Sequence, residues 1–378
     1  MNRIILFSDN ISSRFGGMEA HQEAFIGYYQ KECFCLVVKH GAFDVMTGQK
    51  CVASYITLTE VCAFLESVTT PETIFFFNNL SWVREIPVLR MRFPYVSIVI
   101  RSGGNDVFKA LAKEPDMTLS QKVTCVVQIV NQCVDVLIAN SDYSLKRNRA
   151  IGIHEEKMVK VRGGVDTLQT ERNILNREKN RAEFDQKYHT NGKFLLVIAS
   201  RFAPFKGIVE YLHELRKAPF LDLCHLLLLG DGKEKQRILS ALEQDFPLDF
   251  WTYLGAVSHS DAVRSISIGD VFVNSSLEWE ENIDGGTFIH TETMGRSMME
   301  AITQGIPLIA HNAGGTRELF CENDHIGYCL DSPDMANECL YKILSQGYQV
   351  KARSDYSWEK VFSYYNRLFE LLLAEKHG

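Results

Sequence analysis

Glu292 and Glu300 stand eight positions apart in the stretch Glu292-Thr293-Met294-Gly295-Arg296-Ser297-Met298-Met299-Glu300. From Met294 the chain reads as a helix that stops at Gly305, followed by the short apolar strand Ile306-Pro307-Leu308-Ile309. The two carboxylates therefore bracket a turn and a helix N-terminus. Free backbone N–H groups gather there, and the helix dipole favours an anion. One carboxylate precedes the helix and the other sits two turns inside it. A diphosphate at the amides, with the carboxylates on sugar and ribose hydroxyls, would use every one of these groups. Taken alone, two glutamates at this spacing more often belong to a solvated helix face.

A cationic element lies upstream. The apolar run Phe194–Ala199 reads as a strand that delivers Ser200-Arg201-Phe202-Ala203-Pro204-Phe205-Lys206-Gly207 ahead of a helix. An arginine and a lysine five apart on such a loop make a grip for a diphosphate. As an isolated pair they would be surface charge. Near the N-terminus, Arg3–Phe7 reads as a strand, and Gly16-Gly17 follows a polar loop and opens a helix. Glycines placed there let a phosphate approach backbone amides. The G-x-G-x-x-G pattern of dinucleotide sites is absent. His21, one turn into that helix, reads as structural. A third loop, Arg101-Ser102-Gly103-Gly104-Asn105-Asp106, follows the strand Val96–Ile100, at the strand end where open α/β sheets bind ligands.

As a set, these residues resemble the retaining GT-B glycosyltransferases of glycosyltransferase family 4. The likeness is densest from Gly269 to Phe320. There the E-x7-E pair is followed by Gly305-Ile306-Pro307-Leu308 and by Gly314-Gly315-Thr316-Arg317-Glu318. Arg201 and Lys206 match the family's R-x4-K-G. The resemblance implies two Rossmann-like, doubly wound domains facing a central cleft, with a C-terminal helix crossing back to the first. It implies catalytic roles for Arg201, Lys206 and Glu292. It implies substrate contacts from Gly16, Gly17, Gly255, Gly295, Arg296, Ser297 and Glu300, with Asn105 or Arg101 filling the pocket where the family often has a histidine. Aligned on Asp106, that histidine position is Gly103. A second departure is the insertion Leu277–Thr291, about fifteen residues before Glu292, carrying Glu278, Glu280, Glu281 and Asp284. It is expected to be either a lid or acceptor wall, or a tolerated surface loop.

The implied activity is retaining transfer of a sugar from a UDP- or GDP-type nucleotide sugar to a glycan or lipid-linked acceptor, in polysaccharide or glycoconjugate assembly. No cofactor is expected. The chain has no D-x-D triplet, which argues against a metal-dependent GT-A enzyme. Two rivals remain: a non-catalytic GT-B homologue that binds nucleotide sugar or a partner subunit, and an epimerase or phosphorylase on the same architecture.

The elements that must position these groups alternate between strand and helix. Cys33–Val38, Val52–Ile56, Ile74–Phe77, Val96–Ile100 and Asp135–Ser141 read as strands, with helical patterns such as Glu60–Val68 and Ser120–Cys133 between them. That alternation means a parallel, doubly wound sheet. The second half repeats it through Leu226–Leu229, Phe250–Leu254 and Val271–Asn274. The expected division is residues 1–167, 168–355 and a terminal helix in 356–378. A length of 378 residues suits two domains. No apolar run reaches the ~18 residues of a membrane span. A net charge of −7 disfavours a general nucleic-acid binder. Ten scattered cysteines without a C-x-x-C pair fit free thiols, so a cytoplasmic location is expected. Mixed aromatic and basic residues in Leu80–Phe93, and Lys146, Arg147 and Arg149, could dock on an anionic membrane at its inner face, although solvated helix faces with snorkelling stems are the readier explanation.

Overall fold

A computed structural model describes residues 3–9, 17–29, 33–39, 42–47, 50–111, 114–353 and 355–377. The chain forms two compact units. The first comprises Met1–Gly164, Glu281–Phe288 and Trp358–Gly378; the second comprises Val165–Glu280 and Ile289–Ser357.

The first unit holds strands β1 (Arg3–Ser8), β2 (Cys33–Lys39), β3 (Phe43–Thr47), β4 (Lys50–Tyr55), β5 (Thr73–Phe77), β6 (Ser97–Arg101), β7 (Val136–Ala139) and β8 (Met158–Lys160). Among the described residues they make one sheet in the order β4-β3-β2-β1-β5-β6-β7-β8. β5, Thr-Ile-Phe-Phe-Phe, is buried along its whole length, as expected for a parallel strand covered on both faces. The pairing is parallel from β2 to β8 but antiparallel at β2–β3 and β3–β4. β3 went unforeseen. It sits near the sheet edge, beside an outermost strand that is mostly exposed, and so lacks a long apolar run.

The helix Trp358–His377 belongs to this unit and packs against the helix Gly17–Tyr29. Phe25, Phe76, Phe362, Tyr365 and Phe369 form the contact. His21 lies at its centre, fully buried, with Nδ1 2.9 Å from Asn78 Oδ1 and Nε2 3.0 Å from the Tyr365 hydroxyl. The amide oxygen can only accept, so Nδ1 carries the proton and Nε2 accepts from the tyrosine. His21 is a satisfied core residue, as its position implied.

The second unit holds β9 (Phe194–Ala199), β10 (Cys224–Leu229), β11 (Trp251–Gly255), β12 (Val271–Asn274), β15 (Leu308–His311) and β16 (Gly327–Leu330). They form an all-parallel sheet in the order β11-β10-β9-β12-β15-β16. From β9 the chain winds outward through β10 and β11. From β12 it winds the other way. β9 and β12 are thus neighbours at which the strand order reverses, the switch point at whose carboxyl ends open α/β sheets bind ligands.

The insertion is a β-hairpin, β13 (Trp279–Ile283) and β14 (Gly286–His290). Asp284 and Gly285 form its two-residue turn, with φ of 49° and 74°. Two positive φ values mark the type I′ turn that matches strand twist. The tip, 281–288, is part of the first unit. Leu119 N–H donates to the Asp284 carbonyl at 2.9 Å, and Lys122 Nζ lies 2.5 Å from the Asp284 carboxylate. The Arg147 guanidinium stacks 4.2 Å from the Phe108 ring centre and 5.0 Å from that of Phe288.

Lys122 is only 2% exposed, and its ammonium is paired with the Asp284 carboxylate. Asp284→Ala should therefore lower stability by up to about 3 kcal/mol, because removing one partner strands a buried ion. Chemical denaturation checks this. An unchanged midpoint would mean that the lysine finds water or another acceptor.

Candidate functional site

The loops after β9 and β12 are stapled together. Ser275 Oγ donates to the Lys206 carbonyl at 2.7 Å, and Leu277 N–H donates to the Phe205 carbonyl at 2.7 Å. Gly207 sits at φ 57°, and a Cβ there would stand 2.3 Å from the Ser275 carbonyl oxygen. Only glycine permits so close an approach in that conformation. The clamp directs Lys206 Nζ to 2.5 Å from Glu292 Oε2, and both side chains are largely buried. Arg201, from the same loop, is exposed.

Glu292 is fixed by its own backbone as well as by its carboxylate. Gly315 N–H donates to its carbonyl at 2.8 Å. Gly314, at φ 56°, passes so close that a Cβ would lie 2.1 Å from the same oxygen. The Gly-Gly loop of the motif therefore holds the glutamate. Gly295, left-handed at φ 73°, donates its N–H to Glu292 Oε1 at 3.2 Å and begins the helix Arg296–Thr303. Burial alone would raise the Glu292 carboxyl. The Lys206 ammonium, the Gly295 N–H and the Arg201 charge outweigh it and hold the group below the usual range. Glu292 is thus a carboxylate at neutral pH, and Lys206 its counter-ion.

Glu300 lies one turn along that helix from Arg296 and is 5% exposed. Arg296 Nε stands 3.0 Å from its Oε1, and His259 Nε2 stands 2.7 Å from the same atom. Burial pushes this carboxyl up as well, but Arg296 and His259 more than reverse it, so it too is ionised. Ser297 is half-buried in the first turn. Gly255 ends β11 at φ 71°, its carbonyl taking the Gly230 N–H at 2.9 Å. The second unit thus brings together Lys206, Glu292, Gly295, Arg296, Ser297 and Glu300 around one helix N-terminus. His259, Ser275 and Gly314 join them. Gly314 lay within the motif but carried no role in the sequence, and neither His259 nor Ser275 lay in any motif.

Gly17 and Asn105 belong to the first unit, and Gly16 lies outside the described residues. Gly17 is the exposed first residue of its helix. Asn105 Oδ1 accepts from Arg147 Nη1 at 2.9 Å. Asp106 folds the loop inward, accepting from Ser102 Oγ at 2.7 Å and from Gly104 N–H at 3.1 Å. A Cβ on Gly103 would meet Met18 Sδ at 2.7 Å, so Met18 takes the space a side chain there would enter. Arg101 is buried, 2.8 Å from the same sulfur.

Several of the basic side chains suggested for a membrane surface are paired with acids. Arg84 pairs with Glu114, Arg90 with Asp135, Arg92 with Glu66 and Arg149 with Glu155, while Trp82 is buried. No helix among the described residues is long and apolar enough to cross a membrane.

Comparison with known proteins fits this geometry. Residues 179–357, just under half of the chain, match the family model "Glycosyl transferases group 1". A stretch of 146 residues is 26% identical to the GDP-mannose-dependent alpha-(1-6)-phosphatidylinositol monomannoside mannosyltransferase of Mycobacterium tuberculosis, covering 38% of this chain and 36% of that protein. The chain therefore spans about a third of the length of the curated relatives it matches. Among solved structures, Anabaena Alr3699/HepE in complex with UDP superposes with a TM-score of 0.69 at 15% identity, over 98% of this chain and 100% of that one. Sucrose-phosphate synthase from Thermosynechococcus elongatus superposes with a TM-score of 0.71 at 15% identity, over 99% and 100%. The fold is α/β GT-B, with two Rossmann-like domains. The family match and the mannosyltransferase support a glycosyl-transfer role.

Lys206→Met should leave Glu292 buried without its cation and cost about 3 kcal/mol at pH 7. The sign follows from the depressed carboxyl. The pair's stability is present above the unfolded glutamate's titration and is lost as pH falls through the lower, folded one. Urea midpoints from pH 7 to pH 4 should therefore fall more in the wild type than in Lys206→Met. Parallel curves would show that the pair does not couple to folding.

Proposed function

We propose that this chain is a retaining, metal-independent glycosyltransferase. Its donor is a nucleoside-diphosphate sugar of UDP or GDP type, and its acceptor a glycan or lipid-linked glycan in polysaccharide or glycoconjugate assembly. The observation that carries this reading is the Lys206–Glu292 pair, 2.5 Å apart, with Lys206 on the loop after β9 and Glu292 just ahead of the helix Arg296–Thr303. The motif resemblance, the group 1 match and the mannosyltransferase relative support it.

The roles follow from charge. A diphosphate leaving group gains negative charge as the sugar bond breaks, so fixed cations and aligned amides stabilise the transition state most. Lys206 has three N–H donors and can keep Glu292 while turning one toward a phosphate oxygen. Arg201, exposed on the same loop, supplies a second, forked contact. The amides after Gly295 add the helix N-terminus. Glu292, ionised and oriented by two glycines, accepts from sugar hydroxyls. Glu300 accepts from the ribose. Retention then proceeds by same-face attack, in which the departing phosphate takes the acceptor proton and no enzyme nucleophile is needed. The site sits on the cytoplasmic side, where nucleotide sugars are made, and a lipid-linked acceptor would bring the protein to the membrane face.

The second reading, a non-catalytic homologue, is favoured by one observation. The family's histidine is absent at Gly103, and Met18 fills the space beside it. The two readings part on turnover. A catalyst should slowly hydrolyse a UDP- or GDP-sugar and transfer it when acceptor is present; a binder should bind nucleotide and turn nothing over.

Arg201→Ala and Lys206→Ala should each remove a charge-assisted contact worth about 1.5–3 kcal/mol. Donor turnover should fall roughly tenfold to a hundredfold, measured below the melting temperature of each variant. Near wild-type turnover in both would contradict the assignment.

A further inference from the structure

His259 begins the helix His259–Ser267, behind the N-cap Ser258, and its side chain is 40% exposed. Its Nε2 is pressed between two groups. It lies 2.7 Å from Glu300 Oε1 and 2.8 Å from an Arg296 terminal nitrogen, Nη2. Those contacts make opposite demands. A protonated Nε2 donates to the carboxylate but meets the arginine's N–H head-on. A bare Nε2 accepts from the arginine but sets its lone pair against a carboxylate oxygen. One ring nitrogen cannot satisfy both. The three side chains therefore hold one hydrogen bond fewer than their spacing offers. The second oxygen of Glu300, Oε2, takes no hydrogen bond from the described residues.

A hydroxyl group resolves this conflict, because it both donates and accepts. Entering beside Glu300, it gives its proton to the carboxylate and takes the N–H of His259 on its oxygen, while Arg296 keeps its ion pair. A vicinal diol fits better still, since its second hydroxyl can use Oε2. We infer that His259 is a nucleotide-binding residue that reads a ribose hydroxyl together with Glu300. This rests on the reading of Glu300 as the ribose acceptor and adds a donor to it. The pair then distinguishes a ribose from a sugar that lacks the hydroxyl. Without the hydroxyl, His259, Arg296 and Glu300 stay in conflict, and a desolvated carboxylate oxygen stays unpaired.

Calorimetric titration of UDP and GDP, each beside its 2′,3′-dideoxy counterpart, tests this. Wild-type protein should bind the preferred ribonucleotide at least about tenfold more tightly than the dideoxy form, the ratio of one good hydrogen bond to a charged cluster. His259→Ala should weaken the ribonucleotide and leave the dideoxy form unchanged, so the gap narrows to what Glu300 alone supplies. His259→Gln, which keeps an N–H donor, should retain part of it. Thermal melts of both variants report whether the helix start is intact. Equal weakening of both ligands, or no weakening of either, would overturn the inference. If Glu300→Gln closes the gap and both His259 variants preserve it, the ribose reading stands and the role of His259 falls. Absence of UDP and GDP binding to the wild type would overturn both.

Discussion

The ion pair between Lys206 and Glu292 is the constraint from which the rest of the second unit's site follows. Two largely buried charges 2.5 Å apart are costly to desolvate and stable only while each keeps the other. The fold meets that condition by placing Lys206 on the loop after β9, tied to the segment after β12 through Ser275 and Leu277, and Glu292 between β14 and the helix Arg296–Thr303, tied to Gly295 and Gly315. The result is a cation already oriented and already dehydrated. Under the proposed function, a diphosphate entering there would meet a group that needs little reorganisation, which is how preorganised charge lowers a barrier.

Glycines make that arrangement possible. Gly207, Gly295 and Gly314 all have positive φ, and a Cβ on any of them would collide with a group of the site itself: the Ser275 carbonyl, the Met298 side chain or the Glu292 carbonyl. The chemistry-bearing side chains are held by backbone that favours glycine, and at Gly207 and Gly314 by approaches to carbonyl oxygens that leave no room for a Cβ. Glu300 is treated differently. It sits mid-helix, and its charge is balanced by side chains, Arg296 one turn before and His259 from the next helix. One carboxylate is gripped by backbone and lysine, the other by side chains alone.

The sequence made the parallel framework legible because strands buried on both faces are near-continuous apolar runs, such as Phe194–Ala199 and Leu226–Leu229. It failed where that signal fades. β3 is a short strand near an exposed edge, and its five residues carry no long apolar run. The hairpin in the insertion was marked all the same, by Asp284-Gly285 between strand-like segments. At the site, residues within motifs could be named from spacing. His259 and Ser275 could not, because their importance comes from contacts 41 and 69 positions away in sequence. The crowding of Gly103 by Met18 was hidden for the same reason.

A crystal structure of the protein with UDP or GDP, whichever binds, tests the central claim most directly. The account predicts the β-phosphate within hydrogen-bond distance of Lys206 Nζ and Arg201, beside the first amides of the helix Arg296–Thr303, with Lys206 still touching Glu292 and the ribose on Glu300. A nucleotide seated elsewhere, or a diphosphate that leaves Lys206 and Arg201 untouched, would contradict it.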